Sequence, residues 1–326
     1  MRRLLIGLLC VVVAASRLTA ATNLVAGTTN PPPAEAPDAN DPVEKEYKKL
    51  MEDDDAVQAE VDEWIKDNAA AAAKGGGVPP ADLQRRIRER FAPIRKAYED
   101  FIARHPDHAR ARVAFGSFLG DMQEEDAAQE QWEKALALNA KDPAVYNNLA
   151  NLYGHHGPVK KAFEFYAKAI ELNPKEAIYY HNFGTTVYLF RKDVREFYHI
   201  TEQQVFDKAL ELYSHALKLD PKNFPLASDV AQTYYGIKPL RTEDALKAWT
   251  NTLAIANDEI EREGVYLHLA RIKLAAERFT EARAHLTGVT NQMYDVLKNR
   301  LARNIGQQER EAKGTNAPPP VSEKKP

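Results

Sequence analysis

Apolar residues recur through the middle of the chain with a spacing that predicts pairs of helices. In the stretch Pro143 to Glu176, Tyr146, Leu149, Ala150 and Tyr153 are spaced i, i+3, i+4, i+7 and so share one helical face. Gly154 and Gly157-Pro158 interrupt the pattern. A second apolar face follows, made of Ala162, Phe163, Tyr166, Ala169 and Ile170, and Asn173-Pro174 closes it. The stretch predicts two amphipathic helices folded back on one another, with small Ala150 facing small Ala162. One such hairpin cannot cover its own apolar face, so it needs neighbours of the same kind.

The neighbours are present. The second-helix triplet Ala162, Tyr166, Ala169 has a copy 34 residues upstream at Ala128, Trp132, Ala135. Downstream copies are Ala209, Tyr213, Ala216, then Ala245, Trp249, Thr252, and a weaker one at Ala282, Leu286, Val289. Each is preceded by an apolar–small pair: Phe115-Gly116, Leu149-Ala150, Phe183-Gly184, Val230-Ala231 and Leu269-Ala270. The interval from the small residue to the second-helix alanine is 12 in repeats one, two and five, 14 in repeat four and 25 in repeat three. Repeat three therefore carries an insertion within 193–205, with Phe197, Tyr198, His199 and Ile200, which either lengthens the hairpin or projects as a loop. Repeat four carries two extra residues near Lys238-Pro239.

At these positions the chain resembles the tetratricopeptide repeat (TPR) family, whose 34-residue period places Trp, Leu-Gly, Tyr, Ala, Phe and Pro in that order. Repeat two carries the resemblance at Tyr146, Leu149-Ala150, Tyr153, Ala162, Tyr166, Ala169 and Pro174. Repeat three carries it at Tyr180, Phe183-Gly184, Ala209, Tyr213, Ala216 and Pro221. It extends over about Ala109 to Val289, and repeat five departs from it at the aromatic and the proline. The resemblance implies an all-α fold: a right-handed α-solenoid of about five helix-turn-helix hairpins with flanking helices at both ends. The solenoid would span 109–296, with repeats near 109–142, 143–176, 177–223, 224–258 and 263–296.

On the N-terminal side, Tyr47, Leu50, Met51, Val57, Val61 and Trp64 predict a helix from Asp41-Pro42 to about Asn68. Glu52-Asp53-Asp54-Asp55 interrupts its apolar face and reads as solvated, since the run lacks the Gly and terminal Glu of an EF-hand loop. A joint rich in Ala and Gly follows at 69–79. Pro80 to Arg104 then predicts a second long helix, with Leu83, Ile87, Phe91, Ile94, Tyr98 and Ile102 on one face, placed to cover the open end of the first repeat. Residues 42–108 form this N-terminal helical region. Its basic run Arg85 to Arg90 is diluted by Glu89, Glu99 and Asp100 and reads as an exposed face. After repeat five, Gln292 to Lys313 predicts a last helix with Met293, Val296, Leu297 and Leu301 turned inward. The stretch 297–326 is the end of that helix and a disordered tail containing Pro318-Pro319-Pro320.

Residues 1–21 read as a secretory signal peptide: Arg2-Arg3, an apolar run from Leu4 to Ala15, and small residues at Thr19-Ala20-Ala21. The alternative is an uncleaved membrane anchor, although the run is shorter than a spanning helix needs. The Pro/Ala-rich stretch 22–41 predicts a disordered spacer. Cys10, the sole cysteine, lies inside the signal, which leaves a mature chain with no thiol or disulfide chemistry. Cleavage would remove three arginines and no acid, leaving 41 basic against 47 acidic residues, a net charge of −6 in place of −3. An acidic exported chain has no broad electrostatic drive towards nucleic acid. Periplasm or cell envelope is the expected location.

The resemblance implies that first helices line a concave groove where a peptide or protein partner lies. Outward positions in that reading are Asn147, Asn148 and Asn151 in repeat two, and His181, Asn182 and Thr185 in repeat three. Asp229 and Gln232 follow in repeat four, and His268 and Arg271 in repeat five. Asn supplies donors and an acceptor to a peptide amide, and Asn148 and Asn182 are equivalent in adjacent repeats. Some family members clamp a C-terminal carboxylate with two Asn and several cations; Asn151 and Asn182 match the former, but Asn147, Pro225 and Asp229 stand where the cations belong. The chain holds no HExxH, GxSxG, P-loop or cysteine nucleophile. His155-His156 has no third ligand at metal spacing. No catalytic role, metal or cofactor is expected, and the expected role is a scaffold or adaptor. The alternative is a structural subunit of an envelope assembly that makes contact through the repeat-three insertion and the N-terminal helices. The sequence leaves the oligomeric state open.

Overall fold

The structure, a computed structural model, describes residues 41–72 and 75–314. The predicted signal peptide, the spacer up to residue 40 and the tail from residue 315 lie outside the described residues. Among those described there are fourteen α-helices, two short 3-10 turns and no strand. The fold is the all-α array of helical hairpins that the repeats predict. It divides into an N-terminal unit, Met1–Lys175, and a C-terminal unit, Glu176–Pro326.

The N-terminal unit pairs α1 (Pro42–Ala72) with α2 (Pro80–Arg104), α3 (Ala109–Asp121) with α4 (Glu125–Leu138), and α5 (Pro143–His156) with α6 (Val159–Leu172). Helix starts are written locally. Pro42 and Pro143 sit in the first turn, where a missing N–H costs nothing. Asp41 accepts from Val43 N–H at 2.9 Å and Asp142 from Ala144 N–H at 2.9 Å. The α2 helix packs on α3, so it covers the first repeat. One continuous core joins Leu50, Val57 and Val61 of α1 to Tyr98 and Phe101 of α2, and on to Phe115, Trp132 and Leu149.

The structure departs from the sequence pattern at three places in this unit. The alanines after Asn68 are helical, because α1 runs to Ala72 and Ala favours helix more than any other residue. Helix α5 continues through buried Gly154 to His156, since a single interior glycine costs only about 1 kcal/mol. The acidic run is not uniformly solvated. Asp54 is 2% exposed, accepts from the Tyr98 hydroxyl at 2.5 Å and accepts from Gln58 at 2.9 Å. Glu52 and Asp53 do face solvent, paired with Lys48 and Lys49.

The apolar–small pair has a steric reason. A Cβ on Gly116 would stand 2.5 Å from Trp132 Nε1 and 2.6 Å from Cδ1, so the glycine lets the second-helix indole lie against the first-helix backbone. Trp132 Nε1–H then donates to the Val113 carbonyl at 3.3 Å. Gly184 receives Tyr213 in the same way, at 2.9 Å. Gly116→Ala is expected to lower stability by about 1–3 kcal/mol through overpacking, read as a lower urea midpoint. An unchanged midpoint would refute the close contact.

The C-terminal unit runs α7 (Ala177–Leu189), α8 (Arg191–Tyr198), α9 (Glu202–Leu219), α10 (Phe224–Thr233), α11 (Thr242–Ala254), α12 (Glu259–Ala275), α13 (Phe279–Thr287) and α14 (Asp295–Ala312). The insertion lengthens the second helix, since α9 has 18 residues where α4 and α6 have 14, and adds a short helix before it. This short helix, α8, ends on His199 in the left-handed region (φ 54°), and gives way to a Thr201/Gln204 capping box that starts α9. Val194 and Val205 are fully buried, which ties both sides of the insertion to the core. Buried Glu263 of α12 accepts from Thr290 N–H at 2.9 Å, Asn291 N–H at 2.8 Å and Thr290 Oγ1 at 2.8 Å, anchoring the segment after α13.

The last helix turns differently from the expectation. Ile305 is fully buried and Leu301 half-buried, whereas Met293, Val296 and Leu297 are 61%, 73% and 44% exposed. Met293 lies in a 3-10 turn at Gln292–Tyr294, outside the helix, and Val296 and Leu297 stand in the first turn of α14, so of this apolar set only Leu301 and Ile305 are covered. Val296 lies nine residues before Ile305, half a turn around the helix from it.

Candidate functional site

The expected partner surface is the outward face of the first helices, and the scaffold itself uses much of it. In the N-terminal unit Asn147 is 2% exposed, not outward. Helix α5 packs on α6, α4 and α3 together, so Val145, Asn147, Leu149 and Ala150 are all covered. Asn148 is half-buried and donates from Nδ2 to Ser117 Oγ of the preceding first helix at 3.2 Å. Asn151 accepts from the Tyr166 hydroxyl at 2.6 Å. Its role is internal: a buried phenol needs a partner for its O–H.

The C-terminal unit repeats that device. Thr185 accepts from the Tyr213 hydroxyl at 3.1 Å, in the position that Asn151 holds one repeat earlier. Burial pushes the Tyr213 hydroxyl pKa up to about 12, so it stays a donor at neutral pH. His181 and Asn182 are half-buried, and His181 Nε2 lies 3.2 Å from Asp229 Oδ2 of the next repeat's first helix without a hydrogen bond between them.

His268 is not an open groove residue either. Its ring stacks on Trp249 at 4.0 Å and 6°, and its Nδ1 lies 3.0 Å from the Tyr235 hydroxyl. Burial, reinforced by the Arg271 charge, lowers its pKa to about 4, so the imidazole is neutral at pH 7. Arg271, one turn on, lays its guanidinium over the Tyr235 ring at 4.4 Å and stays exposed. Tyr235 was not singled out from the sequence; only the two extra residues of repeat four mark its neighbourhood.

What remains open is therefore a subset. Asp229, Gln232 and Arg271 are exposed, on α10 and α12 of the C-terminal unit. They offer an acid, an amide and a cation, with no nucleophile beside a base. Gln232 Nε2 donates to Ser228 Oγ at 3.2 Å and keeps its carbonyl oxygen for another partner. The histidine pair lies on the last turn of α5 rather than in a loop, with His156 Nε2 2.7 Å from Glu125. Among the described residues no group of three or more His, Cys, Asp or Glu is arranged to hold a metal ion, and no helix is long and apolar enough to cross a membrane.

Comparison with known proteins agrees with the hairpin pattern. Residues 143–176 match the tetratricopeptide repeat family model, the span read above as repeat two. The chain is 26% identical over 98 residues to the Photosystem I assembly protein Ycf3 of Acaryochloris marina (strain MBIC 11017), covering 28% of this chain and 58% of that protein. It thus spans little more than half of this curated relative. Among solved structures it is similar to PilW, a type IV pilus biogenesis factor, with TM-score 0.51 and 15% identity over 68% of this chain and 95% of that one. It is also similar to YrrB, described as a TPR protein with an unusual peptide-binding site, with TM-score 0.49 and 15% identity over 64% and 99% of the two chains. At these identities the likeness to PilW concerns the fold alone. The family match covers one repeat, and the other hairpins have the same form; tetratricopeptide repeats generally mediate protein–protein interactions.

Proposed function

We propose that the chain is a non-catalytic interaction scaffold, exported to the cell envelope, that binds a peptide or protein partner along the first-helix face of its C-terminal unit. The observation that carries this reading is the exposure of Asp229, Gln232 and Arg271 on successive first helices, after Asn147, Asn151, Thr185 and His268 have been taken into the packing. The Gln232 amide suits a main-chain peptide group, while Asp229 and Arg271 select charged side chains on either side of it. The envelope part rests on Arg2-Arg3, the apolar run Leu4 to Ala15 and the small residues at 19–21. The alternative contact through the insertion is less favoured, since Val194 and Val205 hold it to the core.

A photo-crosslinking residue at Gln232, compared with one at exposed Lys247, tests this in the source cells. The expected outcome is a discrete protein adduct at position 232, absent at 247, and weakened at least tenfold by Asp229→Ala with Arg271→Ala. The same adduct from both positions, or indifference to the double substitution, would sink the groove. Fractionation of the full chain then tests export separately.

A further inference from the structure

The C-terminal unit ends on a face that its own packing leaves bare. Val296, Arg300 and Arg303 lie around α14 opposite Ile305, and all three are exposed. Met293 and Leu297 border them, and exposed Ile260 is adjacent, because the Tyr294 hydroxyl donates to the Ile260 carbonyl at 2.9 Å. Charge divides along this face. Arg300 and Arg303 stand at one end, and among the described residues neither has a carboxylate within ion-pair distance, whereas nearby Arg262 pairs with Glu259 at 2.8 Å and Arg283 with Glu309. Acids stand at the other end. Asp295 is exposed in the first turn of α14, and Asp258 and Glu261 flank Ile260 at the start of α12, where Asp258 Oδ1 accepts from Glu261 N–H at 2.8 Å and Glu261 Oε2 from Asn257 N–H at 2.7 Å.

We propose that this face is an isologous dimer interface, in which the acidic end meets Arg300 and Arg303 of a second copy of this chain. A two-fold axis through Val296 would place the apolar middles together and bring opposite charges into register at both ends, which is the self-complementarity a C2 contact needs. An anionic lipid surface fits less well, because Asp258 and Glu261 would face the same headgroups as the arginines. The chain's own tail fits less well too, because residues 315–326 hold one large apolar side chain, Val321.

Sedimentation velocity of the full chain over a concentration series at low salt decides the matter. Wild type is expected to dimerise with a dissociation constant on the order of micromolar, as befits a small interface. Arg300→Glu with Arg303→Glu weakens that at least tenfold, as does Glu261→Lys with Asp295→Lys. Mixing the two double variants restores a dimer, which also shows that both have folded. A wild type that stays monomeric, reversals that dimerise like wild type, or a mixture without heterodimer each overturn the proposal. Monomeric chain that co-sediments with phosphatidylglycerol vesicles, and loses this with Arg300→Glu and Arg303→Glu, would give the face to a membrane. None of these substitutions touches Asp229, Gln232 or Arg271, so the groove and the dimer fail independently.

Discussion

Tyr98→Ala is expected to cost the N-terminal unit about 3–5 kcal/mol. The Tyr98 ring is 0% exposed, stacks on Phe115 at 5.2 Å and 17°, and meets Phe118 at 5.6 Å. Truncation leaves a cavity in the core that joins α1 and α2 to the first repeat. It also removes the strongest donor to the buried Asp54 carboxyl, leaving only Gln58. Tyr98→Phe separates the two effects. It keeps the ring and loses the hydrogen bond, for about 1–3 kcal/mol. Burial raises the Asp54 pKa and the Tyr98 bond opposes that rise. A carboxyl whose folded pKa is raised takes up a proton more readily when folded, so its penalty grows as pH rises above the unfolded value. The Tyr98→Phe loss should therefore shrink as pH falls from 7 through the raised Asp54 pKa towards the ordinary carboxylate range, while the cavity loss of Tyr98→Ala persists. Urea midpoints of both variants at pH 7 and near the ordinary carboxylate pKa of about 4 check this, and equal losses for Phe and Ala would refute the role given to the ring.

That aromatic core was legible as a pattern, because period and burial have one cause. A helix face that must be covered repeats every three to four residues whatever covers it, and Ala128, Trp132 and Ala135 are all buried as the triplet requires. Polar residues do not announce their partners in this way. Asn147, Asn151 and Thr185 look alike in sequence to residues awaiting a ligand, but Asn151 and Thr185 each satisfy a buried tyrosine from the second helix. Asp54 reads as one acid among three others, and only the arrival of Tyr98 from another helix 44 residues away makes it a core residue. Leu297 shares its helical face with Leu301 and Ile305, yet it stays exposed because no neighbouring helix covers the first turn of α14. Local spacing thus carries the hairpins, whereas the candidate surface depends on which side chains the neighbouring helices consume.

On acidification the C-terminal unit is expected to lose stability before the N-terminal one. His268, stacked on Trp249, has its pKa lowered by burial to about 4, and His285 is lowered for the same first reason. A group whose folded pKa is depressed binds its proton more readily when unfolded, so its stabilising share is complete above about pH 6.5 and is lost as pH falls towards 4. The loss from His268 is on the order of 2–3 kcal/mol. Below about pH 4.5 the carboxylates of Glu263, Glu281 and Glu309, all held low by hydrogen bonds, add to it with the same sign. The N-terminal unit is balanced differently. Burial raises Asp54 and Asp142, which favours its folded state on acidification, against a lowered His108 and the Glu46 and Glu130 carboxylates held low by Arg104 and Lys134. Hydrogen exchange at pH 7 and pH 4.5, corrected for intrinsic rates, should show protection in α11 and α12 falling more than in α2 and α3. His268→Phe keeps a ring on Trp249 without a titrating group, so most of the pH 7 to 4.5 difference in α12 should disappear. If that variant loses protection on acidification as wild type does, His268 does not titrate as the stack requires.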